Sequence, residues 1–134
     1  MTRKELAGFI LNSIRREKTV KFKPFNNKSR GIFAVLSILL EATEELTSGE
    51  IAKRLGLTTP RMAVALKTLC KKGYVKTAKS QMDGRKTIVL ITELGKEIYK
   101  RQYSQSILYL DKILSVLDDN DIEDLERIAK KILI

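Results

Sequence analysis

The sequence contains no histidine and no tryptophan, and it has one cysteine and two prolines. Without imidazole the commonest general base is excluded, and so are the mixed Cys/His cages that hold structural zinc. One thiol cannot close an intrachain disulfide, which fits a reducing cytoplasm. The glycines are scattered rather than clustered, so no phosphate-cradling loop is present. No long uncharged apolar run occurs, which excludes a transmembrane helix. The opening residues alternate charge (Arg3, Lys4, Glu5) with Leu6, Phe9 and Ile10, unlike the apolar stretch and small-residue cleavage site of a secretory signal. The acidic segment "DDNDIE" lacks the turn glycine and the closing bidentate glutamate of a calcium loop. An enzyme has no residues to rest on here. The expectation is a cytoplasmic, non-enzymatic protein with no cofactor, no metal and no membrane attachment.

What the chain has in quantity is positive charge, unevenly spread. With 134 residues and 43% apolar content it is long enough for one domain with a real core. Residues 1–30 carry +7, residues 31–52 carry −4, residues 53–86 carry +9 and residues 87–134 carry −2. Two concentrated basic blocks are a footprint for a polyanionic partner, nucleic acid or an anionic surface.

Periodicity divides the chain into helices and one hairpin. Residues 2–17 read as a helix with Leu6, Phe9, Ile10 and Ile14 on one stripe. Pro24, Asn26, Asn27 and Gly31 mark a basic loop over residues 18–28. Ser29 then caps a mostly apolar, central helix. Thr47 and Glu50 form a T-x-x-E capping box before a short helix that Gly56 ends. Thr58 caps the next helix, with Pro60 in its first turn and Gly73 at its end. Two helices joined by a short glycine-bearing turn are a helix-turn-helix. "YVKTAKS", a "QMDG" turn and "KTIVLIT" then read as a hairpin. Beyond residue 93, Tyr103, Ile107, Leu110, Leu114 and Leu117 form a heptad seam, and after the "DDND" break Ile122, Leu125, Ala129 and Ile132 continue one. Two such stripes exceed what a small winged helix can cover, so a second copy is expected to bury them, with an intrachain helical hairpin as the alternative.

The run "ELTSGEIAKRLGLTTPRMAVALKTLCKKGYV", followed by "DGRKTIVLITELG" and the terminal helix pair, resembles the MarR family of bacterial and archaeal transcriptional regulators over residues 29–134. The most specific piece is Asp83-x-Arg85 with the strand and Leu90-Ile91-Thr92-x-x-Gly95 behind it. The resemblance implies a mainly α fold with a small β-hairpin wing (α+β). It divides the single domain 1–134 into an N-terminal dimerisation helix and basic loop (1–28), a winged helix-turn-helix (29–92) and C-terminal dimerisation helices (93–134). It implies a homodimer joined through Leu6, Phe9, Ile10 and the two C-terminal seams, bound to a pseudo-palindromic double-stranded DNA operator. For many members it implies release by a small-molecule effector or by cysteine oxidation. Two departures stand out: Ala63 and Val64 occupy positions where members often carry Ser, Thr or Arg, and the loop at 18–28 is unusually basic.

Taking Met62, Leu66 and Leu69 as the inward face of the helix from Thr59, Pro60, Val64, Lys67 and Lys71 point outward, with Arg61 and Ala63 on the flanks. Arg61 is the candidate for a bidentate guanine contact, and Ala63 and Val64 can touch only thymine methyls or serve as filler. Lys67 and Lys71 suit phosphates. Thr58 and Thr59 are caps, with a phosphate bond from Thr59 in addition. In the wing, Arg85 suits a narrow minor groove, with Lys76, Lys79 and Lys86 on flanking phosphates and Gly84 making the turn. Asp83 either serves that turn or, as the resemblance implies, pairs with Arg61 or Arg85. Cys70 reads as a structural thiol at the border of the buried face. The alternative reading is a winged-helix module that binds protein or membrane instead of specific DNA.

Overall fold

The computed structural model describes residues 1–16 and 27–133. The order of elements is α1 (Arg3–Arg16), α2 (Asn27–Glu41), β1 (Leu46–Thr47), α3 (Ser48–Leu55), α4 (Thr59–Lys71), β2 (Val75–Lys79), β3 (Thr87–Ile91), α5 (Glu93–Leu114) and α6 (Asp119–Leu133). Pro24 and most of the basic loop expected over 18–28 lie outside the described residues. The helix expected to start at Ser29 already begins at Asn27.

The chain divides into two compact units. One runs from α2 to Lys100 and holds a core of Val35, Leu36, Leu46, Ile51, Ala52, Met62, Leu69, Val75 and Val89. Its sheet is three-stranded and antiparallel, in the order β1-β3-β2. The extra strand, β1, pairs Leu46 with Val89 and Thr47 with Ile88. The hairpin expectation contains only β2 and β3. Thr47 is both a strand residue and the cap of α3, and its Oγ1 accepts the Glu50 N–H at 3.2 Å. A two-residue strand has no periodicity to read, and its cap chemistry conceals it further.

Where α5 begins, it is tied to the same unit, which runs on to Lys100. Thr92 Oγ1 donates to the Gly73 carbonyl at 2.6 Å and accepts the Gly95 N–H at 3.0 Å. Thr92 N–H donates to the Tyr74 carbonyl at 3.0 Å. Gly95 packs so closely beneath Tyr74 that a Cβ there would fall on the Tyr74 carbonyl oxygen. One turn further on, Tyr99 Oη donates to Ser37 Oγ at 3.4 Å.

The other unit contains α1, the α5 residues from Arg101 onward, and α6. Here the seam residues are partly covered within a single chain. Leu6 is fully buried and Leu114 is buried in a single chain, while Phe9, Ile10, Tyr103, Ile107, Leu110, Leu117, Ile122 and Leu125 are half-buried. Helix α1 supplies part of the cover: it packs on α6, and Gly8 lies beside Ile107. Arg3 Nε donates to Asp111 Oδ1 at 2.7 Å, and Tyr103 Oη donates to Asn12 Oδ1 at 3.0 Å. The Arg3 hydrogen bond holds the Asp111 carboxyl below the usual carboxylate range. Of the seam residues only Ile132 stays well exposed, at 73%. The remaining apolar surface lies on another stripe, with Leu108, Tyr109, Ile113, Val116 and Ile128 exposed. Asp118 and Asp121 start α6 reciprocally: each carboxylate accepts the other's backbone N–H, at 2.8 and 3.2 Å.

Candidate nucleic-acid interface

The turn between α3 and α4 sets the direction of the outer helix. Gly56 takes the left-handed conformation at φ 66°, and the Leu57 N–H returns to the Ala52 carbonyl at 2.9 Å. Thr58 Oγ1 then accepts the Arg61 N–H at 3.3 Å, as the threonine cap requires. Met62 and Leu69 anchor α4 in the core. With that face fixed, the helical period turns the rest of α4 to solvent: Thr58, Thr59, Arg61, Ala63, Val64, Lys67 and Lys71 are all exposed.

Cys70 differs from expectation. It is exposed rather than at the border of the buried face, and Leu69 beside it is the buried residue of that turn.

The wing is longer at its tip than an Asp-Gly two-residue turn would make it. The last ladder pair is Lys79 with Thr87, which leaves a seven-residue loop, residues 80–86. Ser80 N–H donates to the Lys86 carbonyl, and Lys86 N–H donates to the Asp83 carbonyl, each at 3.0 Å. Ser80 Oγ accepts the Met82 and Asp83 N–H groups at 3.3 Å. Gly84 is not among the positive-φ glycines, so the loop does not use the mirror-image turn that Asp-Gly favours.

Asp83 Oδ1 accepts the Arg85 backbone N–H at 3.0 Å. This is the turn-making role of the residue. The ion pairs among the described residues do not include Asp83, so its expected pairing with the Arg61 or Arg85 side chain is absent here. The guanidinium of Arg85 is left exposed at the tip, beside exposed Gly84 and Lys86.

Strand alternation places the two β2 lysines apart. Lys76 and Lys79 lie an odd number of residues from each other and project from opposite faces of the wing. Both are exposed, as is Met82 at the tip, which sequence reasoning passed over and which is 96% exposed. The expected helix and wing residues thus come together on one unit, on the outer face of α4 and around the loop 80–86.

Comparison with known proteins agrees with this geometry. Residues 33–86 match a family model described as MarR family. The chain is 33% identical over 61 residues to the transcriptional regulator AdcR of Streptococcus pneumoniae, covering 46% of this chain and 42% of AdcR. It is 30% identical over 84 residues to YfiV of Bacillus subtilis, an uncharacterized HTH-type transcriptional regulator, covering 63% and 52% respectively. The chain thus spans about half the length of the curated relatives it matches. Among solved structures, it superposes on MepR, a transcription regulator of the Staphylococcus aureus multidrug efflux pump MepA. The TM-score is 0.68 at 17% identity, over 93% of this chain and 87% of MepR. A MepR variant bound to an oligodeoxyribonucleotide gives 0.61 at 20% identity, over 98% and 87%. At such identities the likeness is one of fold. Residues 33–86 thus resemble the MarR family, and the chain shares the mainly helical winged helix-turn-helix fold of the solved structures.

Proposed function

We propose that this protein is a sequence-specific regulator of transcription that binds double-stranded DNA as a homodimer. The observation that carries this reading is the surface of one unit. Residues 53–86 hold ten basic side chains and one acidic one, and that acid is engaged with a backbone amide. Arg61, Lys67, Lys71, Lys76, Lys79, Arg85 and Lys86 are all exposed on α4 and the wing. In this reading α4 enters the major groove N-terminal end first, with Arg61 at a guanine and Lys67 and Lys71 on phosphates. Arg85 enters the adjacent minor groove. Lys76 and Lys79, on opposite faces of the wing, reach the phosphates on either side of it. Thr59 adds a phosphate bond at the start of α4. The oligonucleotide complex of the MepR variant supports DNA as the partner.

The second copy is supported by the apolar stripe of Leu108, Tyr109, Ile113 and Val116 and by Ile128 and Ile132, all exposed in a single chain. The resemblance adds the finer points: a pseudo-palindromic operator, repression as the mode of action, and release by a small-molecule effector. No helix of the described residues is long and apolar enough to cross a membrane, which fits a cytoplasmic site of action.

Fluorescence anisotropy with duplexes selected from random DNA tests the reading. Preferred duplexes should carry half-sites about 10 base pairs apart, or a multiple of that. Equal affinity for every sequence, or a monomer without DNA affinity, would leave the interaction-module reading instead.

A further inference from the structure

Val64 is the one large apolar side chain exposed on α4, at 68%, and it sits in the middle of the outward face. We infer that α4 reads thymine through its C5-methyl group, with Val64 as the specificity-determining residue and Ala63 giving the room for close approach. The inference rests on the DNA-binding reading above and narrows it to half-sites with thymine under the centre of α4.

The structure removes the competing polar readers. Thr68 Oγ1 donates to the Val64 carbonyl at 3.1 Å, so its hydroxyl is spent on the helix backbone. Thr58 Oγ1 is engaged by the Arg61 N–H. Of the side chains on the first two turns, Thr59 and Arg61 remain free to hydrogen-bond, and in the DNA-binding reading Thr59 takes a phosphate, which leaves Arg61 for a base edge. Lys67 and Lys71 flank Val64 on the same exposed face, so the surface that covers this valine is polyanionic. In a major groove the only apolar group that a base pair presents is the thymine methyl. Valine is suited to find it, because its branched Cβ has one strongly preferred rotamer in a helix and holds both methyls in fixed directions. Helix stability does not account for the choice, since alanine is the better helix former at an exposed position.

The test uses a duplex selected from random DNA and the same duplex with thymines of the α4-facing half-sites replaced by deoxyuridine. This keeps every hydrogen bond and removes the methyls. The intact protein should bind the deoxyuridine duplex about three- to five-fold more weakly for each contacted methyl. Val64→Ala should lose a similar factor on the thymine duplex and be less sensitive to the replacement than the intact protein. Equal affinity of the intact protein for both duplexes, with both still preferred over a scrambled one, overturns the inference and leaves the regulator reading standing. Selected half-sites without thymine overturn it in the same way. No preference for the selected duplex over the scrambled one removes the regulator reading itself.

Discussion

Single residues in this protein differ sharply in what they hold. Gly95 is required by space: any Cβ meets the Tyr74 carbonyl oxygen and the side chain of Ile91. Gly95→Ala should therefore destabilise the winged unit by about 1–3 kcal/mol, measured by urea unfolding, because it forces the start of α5 away from the end of β3. Gly84 presents the opposite case. Its φ is not left-handed and a Cβ there meets nothing within 4 Å. Gly84→Ala should change stability by no more than about 0.5 kcal/mol. A clear loss of DNA affinity in that stable variant would mean that the wing backbone comes close to DNA. Thr58 couples fold to site, since its hydroxyl fixes the first turn of α4 at Arg61. Thr58→Ala should cost about 1 kcal/mol in the same measurement.

At the scale of elements, α1 matters most for what the heptads mean. Heptad spacing says that a seam is covered without saying by what, and here α1 of the same chain covers much of it. The Arg3–Asp111 pair clamps that packing, with Asp111 largely shielded and Arg3 partly solvated. A carboxyl held below its usual range contributes stability above that range and loses it as pH falls through the lowered value. Asp111→Asn should therefore lower stability at neutral pH, and the gap from the intact protein should close once pH drops well below about 4. Urea unfolding at several pH values reads this directly. In the wing, Arg85→Ala should weaken DNA binding while leaving the unfolding midpoint unchanged, since the side chain is exposed and Asp83 holds only its backbone amide.

For the whole molecule the expectations concern charge and assembly. Binding through several phosphate contacts releases counterions, so affinity should fall steeply with salt. Lys67→Ala should reduce the slope of log affinity against log salt by about 1, measured by anisotropy across a salt series. Ile132 is exposed in a single chain, so Ile132→Glu should leave the monomer folded but weaken dimerisation by about 1–2 kcal/mol in sedimentation equilibrium.

The helix-turn-helix, the exposed face of α4 and the wing strands were legible in the sequence because each rests on local chemistry. Threonine caps, Gly56 and Gly73 mark the helix ends. A 3.6-residue period around Met62 and Leu69 turns Arg61, Val64 and Lys67 outward. Short-range hydrogen bonds and side-chain periodicity need nothing from the rest of the chain. The tertiary structure alone decided that β1 joins β3, that the wing tip is a seven-residue loop, that Cys70 faces solvent and that α1 packs on α6. The β1–β3 pairing and the α1–α6 packing depend on which distant surface arrives, whereas the wing tip closes on hydrogen bonds within residues 80–86. A buried stripe carries the same sequence signature whether it is covered by a neighbouring helix or by a second molecule.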